Sequence, residues 1–135
     1  MLEIKVDVLK NRLYLTLGRV RKDKVSDSAK RIEEQIHRLD AGFSCIARIL
    51  DVRAIDENDI REIMKIQDLL AEKGMTRVVR VGIEEGKKLL DSIGQDVGYV
   101  ALSADDLEEA EEILDELDER DAKKKKAAGD NAPNA

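Results

Sequence analysis

The sequence predicts an α/β fold in the order ββαβαβαβα: a mainly parallel mixed sheet with an N-terminal antiparallel hairpin and four helices. Three observations predict it. The chain opens with two stretches in which apolar and polar residues alternate with a period of two. Short apolar runs then alternate with helical stripes of 10–17 residues, which require parallel pairing through crossovers. Polar turns and single glycines separate these segments.

Leu2, Ile4, Val6 and Val8 alternate with Glu3, Lys5 and Asp7, as expected of a half-exposed strand. Lys10-Asn11-Arg12 reads as a polar turn. Leu13, Leu15 and Leu17 resume the alternation up to Gly18, which completes a hairpin. Ser26 or Asp27 can cap a helix whose apolar stripe is Ala29, Ile32, Ile36 and Leu39, and Asp40-Ala41-Gly42 stops it. Cys45–Leu50 is apolar except for Arg48, the pattern of a central parallel strand. A second helix runs from about Glu57 to Lys73, with Ile60, Ile63, Met64, Ile66, Leu69 and Leu70 inward and Gly74 as its stop. Arg77–Ile83 is the next strand, Glu84–Ile93 a short helix ended by Gly94, and Tyr99–Leu102 the last strand. Ser103 or Asp105 caps a final helix with Leu107, Ala110, Ile113, Leu114 and Leu117 on one face. After Arg120 the composition shifts to Lys, Ala, Gly, Asn and Pro. The expected organisation is one domain over residues 1–120 and a disordered polar tail over 121–135.

The 135 residues suffice for one core, and 42% hydrophobic with 40% charged residues fits a soluble domain with a charged surface. No apolar run exceeds five residues, and the N-terminus lacks an apolar signal region, so a cytoplasmic protein without membrane insertion is expected. The net charge of −6 is concentrated in residues 105–121, where eleven acids meet one base, Arg120. The body is nearly neutral, which argues against nucleic-acid binding. The single cysteine, Cys45, excludes an internal disulfide and lies in an apolar run as a buried hydrophobe. The single histidine, His37, falls off its helix's apolar stripe. No metal site, cofactor site or catalytic residue is signalled; Gly82 and Gly86 make no phosphate-binding loop.

The most informative stretch is Phe43–Ile66, a strand, an acidic turn and a helix start, where backbone N–H groups converge. No Ser, Thr, Cys or His lies between Ile46 and Ile66. Instead Asp56, Glu57, Asn58 and Asp59 open the helix. Acids there favour the helix dipole; they also form a compact negative patch. Arg53 and these four residues are the candidate partner-binding surface. Arg48 and Arg80 interrupt apolar strands. They read either as structural ion pairs with Asp51 and Asp56 or, with Arg53, as an anion site at the strands' carboxyl ends.

These segments together resemble the STAS superfamily, the domain of anti-sigma-factor antagonists and of sulfate-transporter tails. Leu13–Gly18 followed by Arg19-Val20 looks like the family's second strand ending in glycine. Ile46–Asp51 looks like its central strand ending in Leu-Asp. Asp56–Ile60 sits where the family places Asp-Ser-Ser/Thr-Gly-Leu, and Leu70–Gly74 followed by Arg77–Val81 looks like its helix-glycine-strand. The resemblance covers roughly residues 2–117. The phosphorylatable hydroxyl is replaced by Glu57 or Asn58 and the glycine by Asp59, and the turn between Asp51 and Asp56 is shorter than in the family by about three residues.

The resemblance implies a non-catalytic regulatory module that binds a protein partner, such as a kinase-like anti-sigma factor or another regulator, without a phosphoserine switch. A homodimer stays open. The rival reading is a small-molecule or lipid carrier, which requires an internal apolar cavity near Phe43, Met64 and Met75.

Overall fold

The computed structural model describes residues 2–17, 25–49, 57–82 and 99–130. They form β1 (Leu2–Asp7), β2 (Arg12–Leu17), α1 (Val25–Ile36), β3 (Ser44–Ile49), α2 (Glu57–Glu72), β4 (Arg77–Val81), β5 (Val100–Ala104) and α3 (Leu107–Asp130). The five strands lie in the order β1-β2-β3-β4-β5, with β1 antiparallel to β2 and every later pair parallel. The α/β class and the mixed sheet with its N-terminal hairpin agree with the sequence reading. The short helix expected over Glu84–Ile93 lies outside the described residues.

The register divides the strands between two faces. Leu13, Cys45 and Val78 share one row, and Leu15, Ala47 and Arg80 the next. These residues meet Ile32 and Ile36 of α1 and Ile63, Ile66 and Leu70 of α2 in the larger core. The opposite face presents Tyr14, Ile46, Val79 and Leu102 in one row, packed with Ala110, Ile113 and Leu114 of α3. The β2–α1–β3 and β3–α2–β4 crossovers step the same way across the sheet. With one crossover hand, both helices fall on one face. Helix α3 follows the last strand and closes no crossover, so it is free to cover the other face, where it lies over β3, β4 and β5.

Several boundaries have visible causes. Gly74 ends α2 with φ 103°. Its N–H donates to Ala71 O at 3.1 Å, and the Met75 N–H donates to Leu70 O at 3.0 Å, the paired bonds of a Schellman stop. The cap of α3 is Asp106 rather than Ser103 or Asp105. The Glu109 N–H donates to Asp106 Oδ1 at 2.8 Å, and Glu109 Oε2 accepts from the Asp105 N–H at 3.0 Å. Met64, expected inward, is 44% exposed, because Ile63 and Ile66 take the core-facing positions of that turn.

Helix α3 also runs to Asp130, past the boundary expected at Arg120. Ala122 and the following lysines and alanines are strong helix formers. Asp121 pairs with Arg77 at 2.8 Å and Lys123 with Glu119 one turn back at 3.5 Å, which extends the helix beyond the apolar stripe. Composition alone read this segment as tail; residues 131–135 lie outside the described part.

Two glycines test how the loops before β3 and β4 are held. A Cβ on Gly74 would stand 3.0 Å from Ala41 Cβ and 3.1 Å from Ala41 Cα, whereas Gly42, with φ 93°, has open space around its Cα. Gly42→Ala should therefore cost only the left-handed backbone conformation, about 1–2 kcal/mol. Gly74→Ala should cost more, about 2–4 kcal/mol, because overlap adds to it. Urea unfolding of both variants checks the order; equal losses would mean that the Ala41 contact is not tight.

Candidate functional site

Because Leu13 and Leu15 face α1 and α2, the alternation sends Arg12, Tyr14 and Thr16 to the α3 face. Arg12 is fully buried there. Glu111, Asp115 and Asp118 recur at i, i+4 and i+7 on one side of α3 and converge on it. Arg12 Nη1 donates to Glu111 Oε1 at 2.9 Å, and Nη2 donates to Asp115 Oδ1 at 3.1 Å and to Asp118 Oδ2 at 2.9 Å. The Tyr14 hydroxyl donates to the same Glu111 Oε1 at 2.6 Å. Lys10 lies 3.6 Å from Glu111 and 3.5 Å from Asp115, and Arg77 reaches Asp118 at 3.9 Å and Asp121 at 2.8 Å. Sequence reasoning placed Arg12 in a turn. The hairpin turn instead ends at Asn11, whose φ is 53°, and Asn11 exchanges hydrogen bonds with Asp40 across to the α1–β3 loop.

The charges are tuned accordingly. Burial works against the Arg12 cation, yet its hydrogen bonds to Glu111, Asp118 and Asp115 outweigh this and hold it firmly protonated. Burial and the Glu111 carboxylate raise the Tyr14 hydroxyl, which stays a donor. Burial alone would raise Glu111, but Tyr14 and Arg12 draw it below the usual carboxylate range. Asp115 is likewise lowered, Arg12 overcoming its slight desolvation. Asp121 is lowered by its hydrogen bond to Arg77.

Beside this clamp, no described element covers β1 and the Tyr14–Thr16 part of β2 on the same face. The result is an open trough of about 680 Å³. Tyr14 and Ile46 lie along it with Glu3, Lys5, Thr16 and Arg48, and Leu107 and Glu111 of α3 form one wall. Leu107 is 40% exposed; Val8, at 51%, and the fully exposed Leu9 of the hairpin also border it. Among the described residues neither Lys5 nor Arg48 is ion-paired. Arg48, the penultimate residue of β3, marks one end of the trough, and Val8 and Leu9 of the hairpin turn mark the other.

The two arginines read as one cluster are separated. Ala47, not Arg48, is the partner of Arg80 in the register, so Arg48 lies on the α3 face and Arg80 on the α1–α2 face. They do not share an anion pocket. Arg80 is 2% exposed and has a compensating interaction of its own. Asp51, Arg53 and Asp56 lie outside the described residues. Glu57, Asn58 and Asp59 form the first turn of α2, as expected, but their side chains lie outside the described part.

Cys45 is buried, and burial pushes its thiol up to about 12, consistent with a small hydrophobe. His37 is exposed. The space between the sheet and α1–α2, bordered by Ile32, Cys45, Ile63 and Met75, amounts to about 40 Å³. Ligand pockets occupy roughly 300–1,000 Å³. Phe43 and Met75 are buried in the core and Met64 is exposed, so the described residues enclose no lipid-sized chamber at the place the carrier reading requires. Among the described residues no helix is long and apolar enough to cross a membrane, and no group of His, Cys, Asp and Glu side chains is arranged to hold a metal ion. Compared with protein-family models and with curated proteins, the sequence matches none of either.

The clamp has a definite pH signature. Carboxylates whose folded pKa lies below the unfolded value contribute stability that is fully present above the ordinary range and is lost as pH falls through the folded values. The protein should lose stability on acidification below about pH 4.5. Arg12→Met should cost about 2–4 kcal/mol at pH 7 by removing three charged hydrogen bonds. The gap between variant and wild type should narrow between pH 4.5 and pH 3, followed by thermal melts. A variant that keeps the wild-type acid slope would show that these carboxylates are not governed by Arg12.

Proposed function

We propose that the chain is a non-catalytic regulatory module that binds a protein partner, of the kind its resemblance to anti-sigma-factor antagonists suggests, and that it works without a phosphoserine switch. The observation that carries this reading is the half-covered sheet face. An α/β domain of this size ordinarily buries both faces of its parallel strands. Here α3 covers β3 to β5, and the β1–β2 part remains a trough of about 680 Å³. Its Lys5 and Arg48, without an ion-pair partner among the described residues, and its exposed Leu107 and Val8 give the mixed charged and aliphatic lining that suits a folded partner or a protein segment.

What supports the reading is coarse: a mixed sheet that opens with an antiparallel hairpin and continues in parallel strands. A helix begins at Glu57, where the resemblance puts the switch loop, with carboxylates and an amide in place of the hydroxyl. On this reading the partner engages the trough and also the segment Arg53 to Asp59 that the sequence singles out. A kinase-like anti-sigma factor or another regulator is the class of partner the resemblance points to.

Capture from cytosol of the source organism, followed by mass spectrometry, tests the surface. Arg48→Glu combined with Leu107→Lys should remove the captured regulator by about tenfold or more, the size of one lost charged contact. Glu57→Lys with Asp59→Lys should weaken it as well, while circular dichroism stays unchanged. If both folded variants capture the same regulator as wild type, this face is not the site. Incubation with a kinase of the same signalling class should leave no phosphate on Asp56–Asp59. Phosphate on Ser26 or Ser28 would instead locate a switch at the start of α1.

A further inference from the structure

Strand β1 is the outermost strand of the sheet, and among the described residues no backbone hydrogen bond reaches its free edge. An open edge is a template for another strand unless proline, a bulge or a covering element blunts it. Leu2–Asp7 has none of these among the described residues: it is six residues long, without proline or glycine, and pairs regularly with β2 along its whole length. Glu3 and Lys5 are exposed on the α3 face, and neither has an ion-pair partner among the described residues. Ile4 and Val6 lie on the other face, half-buried against the core.

The order Leu-Glu-Ile-Lys-Val is complementary to its own reverse. Set antiparallel against a second copy with Ile4 on the twofold axis, Glu3 faces the Lys5 of the other copy, and Lys5 faces its Glu3. Leu2 and Val6 stand twice at directly opposed register positions. Opposite charges at directly opposed positions stabilise a strand pair, and like charges destabilise it. Other registers fail. Centring on Glu3 or on Lys5 opposes like charges. A shift by one residue sets Ile4 against Lys5 and mixes the two faces. Centring on Val6 pairs Lys5 with Asp7, but it overlaps only Lys5 to Asp7 before the hairpin turns at Val8.

We propose that the chain forms a twofold dimer by antiparallel pairing of β1 with β1 of a second copy, with Ile4 on the axis. Such an interface is isologous, each copy offering the same strand. It joins the two sheets into one and keeps both α3 faces on the same side. The two troughs then lie beside each other, flanking the Glu3–Lys5 pairs, and form one bivalent surface. The inference rests on the edge and its register, not on the identity of any other partner.

Sedimentation velocity across micromolar to millimolar protein tests it. Wild type should pass from monomer to dimer as concentration rises. Glu3→Lys or Lys5→Glu alone should weaken the dimer by about tenfold or more, since both opposed pairs become like-charged. The double variant Glu3→Lys/Lys5→Glu should restore it. An equimolar mixture of the two single variants should form a heterodimer, because each supplies the charge that the other lacks. Amide exchange of the wild type gives a reading free of mutation: alternate β1 amides should slow as concentration rises. A wild type that stays monomeric at millimolar concentration, a dimer indifferent to the charge exchanges, or β1 exchange independent of concentration would overturn the proposal.

Discussion

The burial of one guanidinium organises this molecule. Arg12 sits under α3 without solvent contact, and a cation so placed has to be neutralised by groups with good geometry. Glu111, Asp115 and Asp118 supply them from three successive turns of one helix face. Meeting that single residue fixes both the rotation of α3 about its axis and its travel along the sheet. Ala110 and Leu114 are thereby set against Ile46, Val79 and Val81, and the helix comes to lie over β3 to β5. The uncovered part of the same face is what remains. Among the described residues the trough is thus bounded by the position that the ionic attachment gives α3. One donor is left over: Arg12 Nε is buried without a partner, as expected where a planar cation is fitted to three acceptors on one helix.

The two layers of the fold are held by different physics. On the α1–α2 side the contact is almost wholly aliphatic, with Ile32, Ile36, Ile63, Ile66 and Leu70 closed over Leu13, Cys45 and Val78. That attachment follows the area removed from water and is not subject to charge screening by mobile ions. On the α3 side a small apolar patch is framed by carboxylates that keep substantial solvent contact. Part of that attachment is open to screening by mobile ions, which weaken exposed pairs first. The wall of the trough thus belongs to the layer whose docking the solution can modulate, and its floor belongs to the rigid sheet.

Much of this was legible in the sequence. The period of two in Leu2–Val8 and Leu13–Leu17, and the stripes Ile32–Ile36 and Ile63–Ile66–Leu70, specify strand and helix faces directly, because one side of each must be buried. Gly74 was readable as a stop for the same local reason. What was not legible depends on which face meets which. Arg12 next to Lys10 and Asn11 looks like turn chemistry, and only the hairpin register moves it onto the inner face of a strand. The matching signal, acids at 111, 115 and 118, was visible as an acidic helix face, but its target is about a hundred residues away. Arg48 and Arg80 show the same limit. Each interrupts an apolar strand, and a one-residue offset between β3 and β4 decides that they look in opposite directions. Helix α3 runs past Arg120: composition measures the lack of apolar residues, whereas the helix continues on alanine, lysine and two ion pairs.

The sequence separation of the Arg12 contacts sets an order of events on the ribosome. The bonds that close around this residue join positions 99, 103 and 106 apart. The β1–β2 hairpin, α1 and the strands through β5 are all synthesised before the first of these carboxylates exists. Throughout that interval the nascent chain carries a hydrated arginine on an uncovered sheet face, and its charge opposes premature burial of that face against anything apolar. Helix α3 is the only described element that neutralises it, so the second layer is sealed only after all five strands have been made, by bonds that fasten β2 to a helix 99 to 106 residues further along.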